Sequence, residues 1–364
     1  MQIDKFDKNF LINSDITEPD IVWFDVNEPP FKIKGVIYDD NAKRYVRIPQ
    51  EIAEKVSDGV AHINTWTAGG RVCFKTNSKY IAIQAETDQI GSLAQMSRSG
   101  LAGFDLYRRF NDKETYFTTF LPPEKWDAGY SGEIKTYGEL TDYTLYFPIY
   151  NGVKKVFIGI KKDAIIDMAD DNIREPPIVF YGSSITNGGC ASRPGNTYPS
   201  ILGRRLSMDF INLGFSGSAK GEKEMAEYVS VLDMSLLVIE YDSNAPSENW
   251  LEETHYPFYK IIRDKQPDLP IVIMSHCAAL HAVYYEMKAG ETWGSFDNRR
   301  KIIKSTYLRA KKAGDENIYY IDGREIFKGD EWDAVTTEGV HPNDFGFMRF
   351  AQYLEKIIKP LLKI

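Results

Sequence analysis

Four side chains that suit acyl chemistry are spread through the second half of this chain, each just beyond an apolar run or in a loop before a helix. Ser184 follows Ile178-Val179-Phe180-Tyr181-Gly182-Ser183, which reads as a buried strand ending in a sharp turn. A serine hydroxyl attacks only when a base takes its proton, so Ser184 as a nucleophile requires a histidine. His341 stands near the end of the chain in Glu338-Gly339-Val340-His341-Pro342-Asn343-Asp344, with the Glu338 carboxylate three residues before it. Acyl transfer also needs donors for the oxyanion that forms. Gly217, in Asn212-Leu213-Gly214-Phe215-Ser216-Gly217, can direct a backbone N–H into a site. Asn244, in Glu240-Tyr241-Asp242-Ser243-Asn244-Ala245-Pro246, can supply a side-chain amide.

Each of these residues has a plainer use. Ser184 between strand and helix suits a helix N-cap, Gly217 a positive φ, and Asn244 a turn before Pro246. Ser216 is the rival nucleophile, but Gly214-Phe215-Ser216-Gly217 lacks the Gly-x-Ser-x-Gly spacing of a nucleophile elbow and reads as a turn. The other histidines divide between a β-sandwich expected in the first half (His62), a helical or loop segment (His255), and the region after a late strand (His276, His281). His276 ends that strand and is placed to line a cleft. No histidine pair has metalloprotease spacing, so no catalytic metal is expected. Cys190 and Cys277 are expected to be inert packing thiols. Glu240 and Asp242 suggest a glycosidase pair, but Glu240 falls inside a strand and no second carboxylate complements it. Arg193 suits either a substrate carboxylate or a salt bridge.

Nucleophile, base and acid lie far apart in sequence, so the fold must bring the ends of several elements together. A parallel α/β sheet does this, because its ligands bind outside the carboxyl ends of the strands. Such a sheet is readable from Pro176 onward. Apolar runs at Ile178 to Tyr181, Phe210 to Leu213, Leu236 to Tyr241, Ile271 to Met274 and Ile318 to Ile321 alternate with helical stripes. One stripe is Tyr198, Ile201, Leu202 and Leu206; another is Ile302, Ile303 and Tyr307, in a segment ending at Gly314. The last is Phe347, Phe350, Ala351, Leu354, Ile357, Ile358 and Leu361. The earlier part differs. Short aromatic and β-branched runs, at Ile21 to Phe24, Val36 to Tyr38, Arg71 to Phe74, Tyr80 to Ile83, Phe104 to Tyr107, Tyr143 to Phe147 and Lys155 to Ile160, predict an antiparallel, jelly-roll-like β-sandwich. Only Glu51 to Lys55 hints at a helix there. The charged, proline-terminated stretch Ala169 to Pro177 marks the boundary, giving a sandwich over 1–168 and a flavodoxin-like, doubly wound domain over 176–364.

At 364 residues the chain is long enough for two such cores. A net charge of −8 gives no electrostatic footprint for nucleic acid or an anionic membrane. No segment is long and apolar enough to span a bilayer, and the first thirty residues carry charges where a signal peptide has its apolar core. The expectation is a cytoplasmic protein. Three widely spaced cysteines (Cys73, Cys190, Cys277) fit neither a disulfide framework nor a zinc knuckle.

The four blocks around Ser184, Gly217, Asn244 and His341, in this order and spacing, resemble the SGNH hydrolase superfamily, the GDSL-like esterases. The likeness runs from about Pro176 to the end. It implies Ser184 as nucleophile, His341 as base, and Ser184 N–H, Gly217 N–H and the Asn244 amide as oxyanion donors, with no cofactor. The tract Gly188 to Asn196 and the β-rich first part, with Thr67 to Val72, look like a subgroup in which a β-sandwich precedes the hydrolase. Some members of that order remove acetyl groups from sugars. The implied function is a metal-free serine esterase acting on acetylated carbohydrate; a lipid or thioester hydrolase, or a decayed carbohydrate-binding protein, are the alternatives. Two departures stand out. Ser183 replaces the usual aspartate of Gly-Asp-Ser, with little effect expected because that side chain does not react. Glu338 replaces the usual aspartate before the histidine and is one methylene longer. Either the loop is reshaped around it, or His341 is oriented by a backbone carbonyl and the site works as a dyad.

Overall fold

A computed structural model of the chain describes residues 16, 18–89, 93–125, 127–170, 173–277, 294–328 and 332–364; His281 lies outside them. The described residues gather into two compact units, one of 16–49, 65–170 and 192–195, the other of 50–64, 173–191 and 196–364.

The first unit is built on two antiparallel sheets. One runs Ile21–Asp25, Val153–Lys161, Tyr80–Thr87, Gly129–Lys135; the other runs Ile166–Asp167, Arg71–Thr76, Thr141–Tyr146, Phe104–Phe110, Lys113–Phe120, with Lys32–Lys34 also on Arg71–Thr76. The alternation of strand side chains explains how the layers fill. Along Tyr80–Thr87, Ile81, Ile83 and Ala85 enter the main core with Val72, Phe74, Leu106 and Leu145 of the facing sheet. Tyr80 and Ala82 point the other way, into a smaller cluster with Ile21, Trp23 and Phe157. Gly159 lacks a side chain because a Cβ there would come within 2.8 Å of the Trp23 ring.

The segment Ser192–Gly195 belongs to this unit although it comes late in the chain. Asp105, fully buried, accepts from Arg193 Nη1 at 2.8 Å, Gly195 N–H at 2.8 Å and Thr119 Oγ1 at 2.6 Å. The Arg193 guanidinium also donates to Tyr107 Oη at 2.6 Å and lies 3.9 Å from the Tyr116 ring centroid. Arg193 therefore forms the salt bridge.

The second unit holds the parallel sheet. Its five strands, in chain order, are Arg174–Gly182, Met208–Gly214, Leu236–Glu240, Ile271–Met274 and Ile318–Ile321, and they lie side by side in the order second, first, third, fourth, fifth. This is the flavodoxin-like order, whose ligand crevice opens beside the first and third strands, where the direction of winding reverses. Leu236–Glu240 and Ile271–Met274 are buried at every residue, as expected for strands with helices on both faces. The predicted stripes are realised in helices Tyr198–Leu206, Phe296–Lys312 and Asp344–Leu361; Phe347, Phe350, Ala351, Leu354 and Ile358 of the last are all buried. Helices Lys223–Ser230 and Glu248–Lys265 complete the alternation. Residues 50–64 also join this unit, as the helix Gln50–Val56 and a second, Asp58–Ile63, capped by the Ser57 hydroxyl. His62 thus sits on a helix of the α/β unit rather than in the sandwich. Among the described residues no helix is long and apolar enough to cross a membrane.

Candidate active site

Three strand ends are level. Gly182 pairs with Gly214 on one side and with Glu240 on the other, so the chain leaves all three strands at the same edge of the sheet. Ser184 comes two residues after Gly182, Gly217 three after Gly214, and Asn244 four after Glu240. The first turn is tight: a Cβ on Gly182 would stand 2.2 Å from Thr186 Oγ1, and one on Gly214 would stand 2.1 Å from Asn187 N. Glycine is required at both places. Ser184 opens the short helix Ser184–Asn187, and the capping role belongs to its neighbour: Ser183 Oγ accepts from Ile185 N–H at 3.1 Å. The Ser184 hydroxyl is left for other work.

That hydroxyl lies 2.7 Å from His341 Nε2. The other ring nitrogen of His341, Nδ1, is hydrogen-bonded to Glu338 Oε1, and the His341 backbone N–H points to the same carboxylate at 3.3 Å. The extra methylene of Glu338 is taken up by a loop closed on itself. Thr337 N–H donates to His341 O at 3.0 Å, Thr336 bridges Pro342, and Gly339 takes a φ of +89° while its N–H donates to Thr336 Oγ1. Asn343 then caps the final helix, its Oδ1 accepting from Gly346 N–H at 3.0 Å and its amide donating to Ala334 O. Burial opposes the Glu338 charge, but the hydrogen bond and charge of His341 outweigh it, so its carboxyl is held below the usual range.

Phe215 O is the pivot of the second block. It accepts from Ser218 N–H at 2.8 Å, which makes Phe215 to Ser218 a turn with Gly217 at its third position and φ +69°, a conformation that favours glycine. Ser216 is confined to this turn. Phe215 O also accepts one amide hydrogen of Asn244 at 3.1 Å. The second hydrogen on the Asn244 nitrogen is thereby fixed in direction, and no acceptor for the Gly217 N–H occurs among the described residues. Ser184, His341 and Glu338 are joined by direct bonds; Gly217 and Asn244 are joined to each other through Phe215 and leave the neighbouring strand ends. Together they offer a hydroxyl beside a base and fixed N–H donors, the components of acyl transfer.

Beneath the site lies a group the sequence reading set aside. Glu240 and Asp242 are buried, and burial pushes their carboxyls up to about 8 and about 6. Glu240 is bound to the residues flanking Ser184, Asp242 to the His276 N–H at 3.0 Å, and neither is placed as a glycosidase carboxylate. The signal available in the sequence was an acid at the end of the run Leu236-Leu237-Val238-Ile239. His276 is buried against the Phe296 ring and is held neutral, its pKa lowered to about 3 by burial and by His341.

Cys190, Glu338 and His341 place ligand atoms within 4.8 Å of one another. They fit a metal poorly: Glu338 and His341 are bonded to each other, and burial together with the Glu338 charge pushes the Cys190 thiol up to about 12, whereas a metal takes the thiolate. Cys73, Cys190 and Cys277 are all buried free thiols.

The profile of the GDSL-like lipase/acylhydrolase family matches residues 175–359, and that of the N-terminal part of SGNH-hydrolase-type esterases, GxDLY, matches residues 21–166. The chain belongs to the GDSL-like lipase/acylhydrolase family, and it is a carboxylic ester hydrolase of the SGNH type. The second profile's name reads off here as Gly103-Phe104-Asp105-Leu106-Tyr107, so its Asp and Tyr are the two partners of Arg193. Among solved structures, a GDSL-like lipase from Bacteroides ovatus is 27% identical, with a TM-score of 0.84 over 94% of this chain and 98% of that one. A salicylyl acyltransferase from a tetracycline biosynthetic pathway is 18% identical, with a TM-score of 0.79 over 95% and 98%. A family-two carbohydrate esterase from Clostridium thermocellum, solved with cellohexaose, is 14% identical, with a TM-score of 0.60 over 92% and 99%. These last two share the fold. No curated protein matches the chain.

Proposed function

We propose that this protein is a serine esterase that removes small acyl groups, acetyl first among them, from carbohydrate esters through an acyl-enzyme on Ser184. The observation that carries the reading is the relay from Ser184 Oγ, 2.7 Å from His341 Nε2, to the Glu338 carboxylate on Nδ1. Ser184 Oγ attacks the ester carbonyl as His341 takes its proton. Ser184 N–H, Gly217 N–H and the free hydrogen of the Asn244 amide hold the oxyanion. His341 then returns the proton to the departing alcohol, and water repeats the cycle to free the acid. Glu338 keeps the imidazole in the tautomer that presents Nε2 to Ser184. The sugar is suggested by the carbohydrate esterases that share this fold. The alternative of a decayed carbohydrate-binding site is motivated by the length of Glu338, and the bond of Glu338 to His341 Nδ1 supports the esterase instead.

The test is hydrolysis of p-nitrophenyl acetate by the native protein beside Ser184→Ala and His341→Ala, followed by acetate release from acetylated xylo-oligosaccharides. Turnover confined to the native protein supports the mechanism; equal turnover in Ser184→Ala sinks it. Faster turnover of octanoyl than of acetyl esters would move the substrate to lipids.

A further inference from the structure

Ser184 does not hold itself in place. Its hydroxyl is engaged with His341, and the helix it opens is only four residues long, Ser184–Asn187. The residues on either side of it are tied to one atom, Glu240 Oε2. Ser183 Oγ donates to that oxygen at 2.8 Å, Thr186 Oγ1 at 3.1 Å, and Ser183 N–H approaches it at 3.3 Å while making its main bond to the Glu240 carbonyl at 2.8 Å. Ser183 Oγ is already the acceptor for Ile185 N–H and offers its proton to Glu240, and Tyr198 Oη lies 2.9 Å from Thr186 Oγ1 on its other side. Glu240 is 1% exposed, and its second oxygen, Oε1, has no hydrogen-bond partner. A buried carboxyl with one oxygen unpaired is costly to keep, and one whose bonds all converge on the turn carrying Ser184 has a specific use there.

Resting on the reading of Ser184 as the nucleophile, we propose that Glu240 is a positioning residue for Ser184, anchoring the turn through Ser183 and Thr186 so that the hydroxyl meets His341 and the ester carbonyl in line. Glu240 touches no reacting atom. Its contribution is geometric, and a displacement of the order of 1 Å at a nucleophile costs roughly 10²-fold in rate.

A fluorophosphonate, which phosphonylates an activated serine as fluoride leaves, reads the Ser184 geometry without a bound sugar. In Glu240→Leu, which fills the space and strands both hydroxyls, labelling and kcat on p-nitrophenyl acetate should fall roughly 10²-fold, with KM within about threefold. Glu240→Gln keeps a carbonyl oxygen for the same donors and should restore the rate to within about tenfold of the native protein. A folded Glu240→Leu that labels at the native rate, or a loss shared by Glu240→Gln and Glu240→Leu alike, would overturn the proposal. If Glu240→Leu does not fold, the pair Ser183→Ala and Thr186→Val removes the donors and leaves Glu240 in place; the same fall in kcat at constant KM is expected, and native kinetics in the pair would be equally fatal. A native protein that neither labels nor hydrolyses esters would overturn both readings, whereas a native protein labelled at Ser184 beside an unaffected Glu240→Leu overturns this one alone.

Discussion

At the scale of single residues, one methylene decides whether the histidine has a partner. Glu338 reaches His341 Nδ1 because the loop from Thr336 to Pro342 is pinned by the Thr337 to His341 bond and by the positive φ of Gly339. The pair is therefore matched to glutamate, and the shorter acid is not conservative here. Glu338→Asp is expected to lower kcat by about 10²-fold and Glu338→Gln by about 10³ to 10⁴-fold, because the amide can present a donor to Nδ1 and so favour the wrong tautomer. KM should change little in either, and steady-state kinetics on p-nitrophenyl acetate checks both. The pairing also has a pH sign. Glu338 is held below the usual carboxylate range, so its contribution is present above the ordinary glutamate pKa and is lost as the pH falls through the lowered one. Ser184, His341 and Glu338 were legible in the sequence because each sits in a short motif with its own turn chemistry. Glu240 and Asp105 were not. Their meaning comes from partners remote in sequence, Glu240 with Ser183 and Thr186, Asp105 with Arg193 and Gly195, and an acid within an apolar run announces only that something must satisfy it.

At the scale of elements, register does the positioning. Because Gly182 is level with both Gly214 and Glu240, three loops of two to four residues deliver Ser184, Gly217 and Asn244 to one edge. Asn244 is fixed by its bond to Phe215 O, and Asn244→Ala should cost about 10² to 10³-fold in kcat, the usual loss for one oxyanion donor, with KM nearly unchanged. In the sandwich the comparable device is Asp105, on the strand Phe104–Phe110, which gathers Thr119, Arg193 and Gly195. Asp105→Ala leaves a partly buried guanidinium without its carboxylate and should destabilise the unit by about 3 kcal/mol, measurable by urea unfolding, while Asp105→Asn, which keeps an acceptor, should cost less. The parallel strands were readable because burial on both faces makes them continuous apolar runs. Lys113–Phe120 and Gly129–Lys135 escaped notice because most of their residues are exposed or half-buried, and polar chains such as Lys113, Glu114, Glu133 and Lys135 mask the alternation. Helix Lys223–Ser230, at eight residues, is too short for its period to stand out.

At the scale of the whole molecule, buried titratable groups set how stability follows pH. Glu240 ionises in the fold only near pH 8, against about 4.3 in an unfolded chain, and the neighbouring Tyr198 and Cys277, which its charge would disfavour, stay neutral. From pH 6.5 to 8 the folded form therefore holds a proton that the unfolded form has lost, and stability falls as pH rises, by about 1 kcal/mol over that window once the protons the unfolded histidines lose are set against it. Near pH 6 the curve levels off. His255 and His276 stay neutral in the fold down to about pH 3, while the unfolded chain protonates both around pH 6.5. Between about pH 6 and 4 the gains from Glu240 and from Asp242, with its carboxyl at about 6, nearly offset their combined loss. Once the unfolded carboxyls are themselves protonated, below about pH 4, the histidines are unopposed and stability drops steeply. Calorimetry should accordingly find the α/β unit most stable near pH 6, its Tm lower by about 3 °C at pH 8. Glu240→Gln should flatten the alkaline side and steepen the acid side between about pH 6 and 4, where the Glu240 proton no longer offsets the histidines. An alkaline slope that persists in Glu240→Gln would mean that another group carries it, Glu222 and Asp242 being the other carboxyls raised by burial among the described residues.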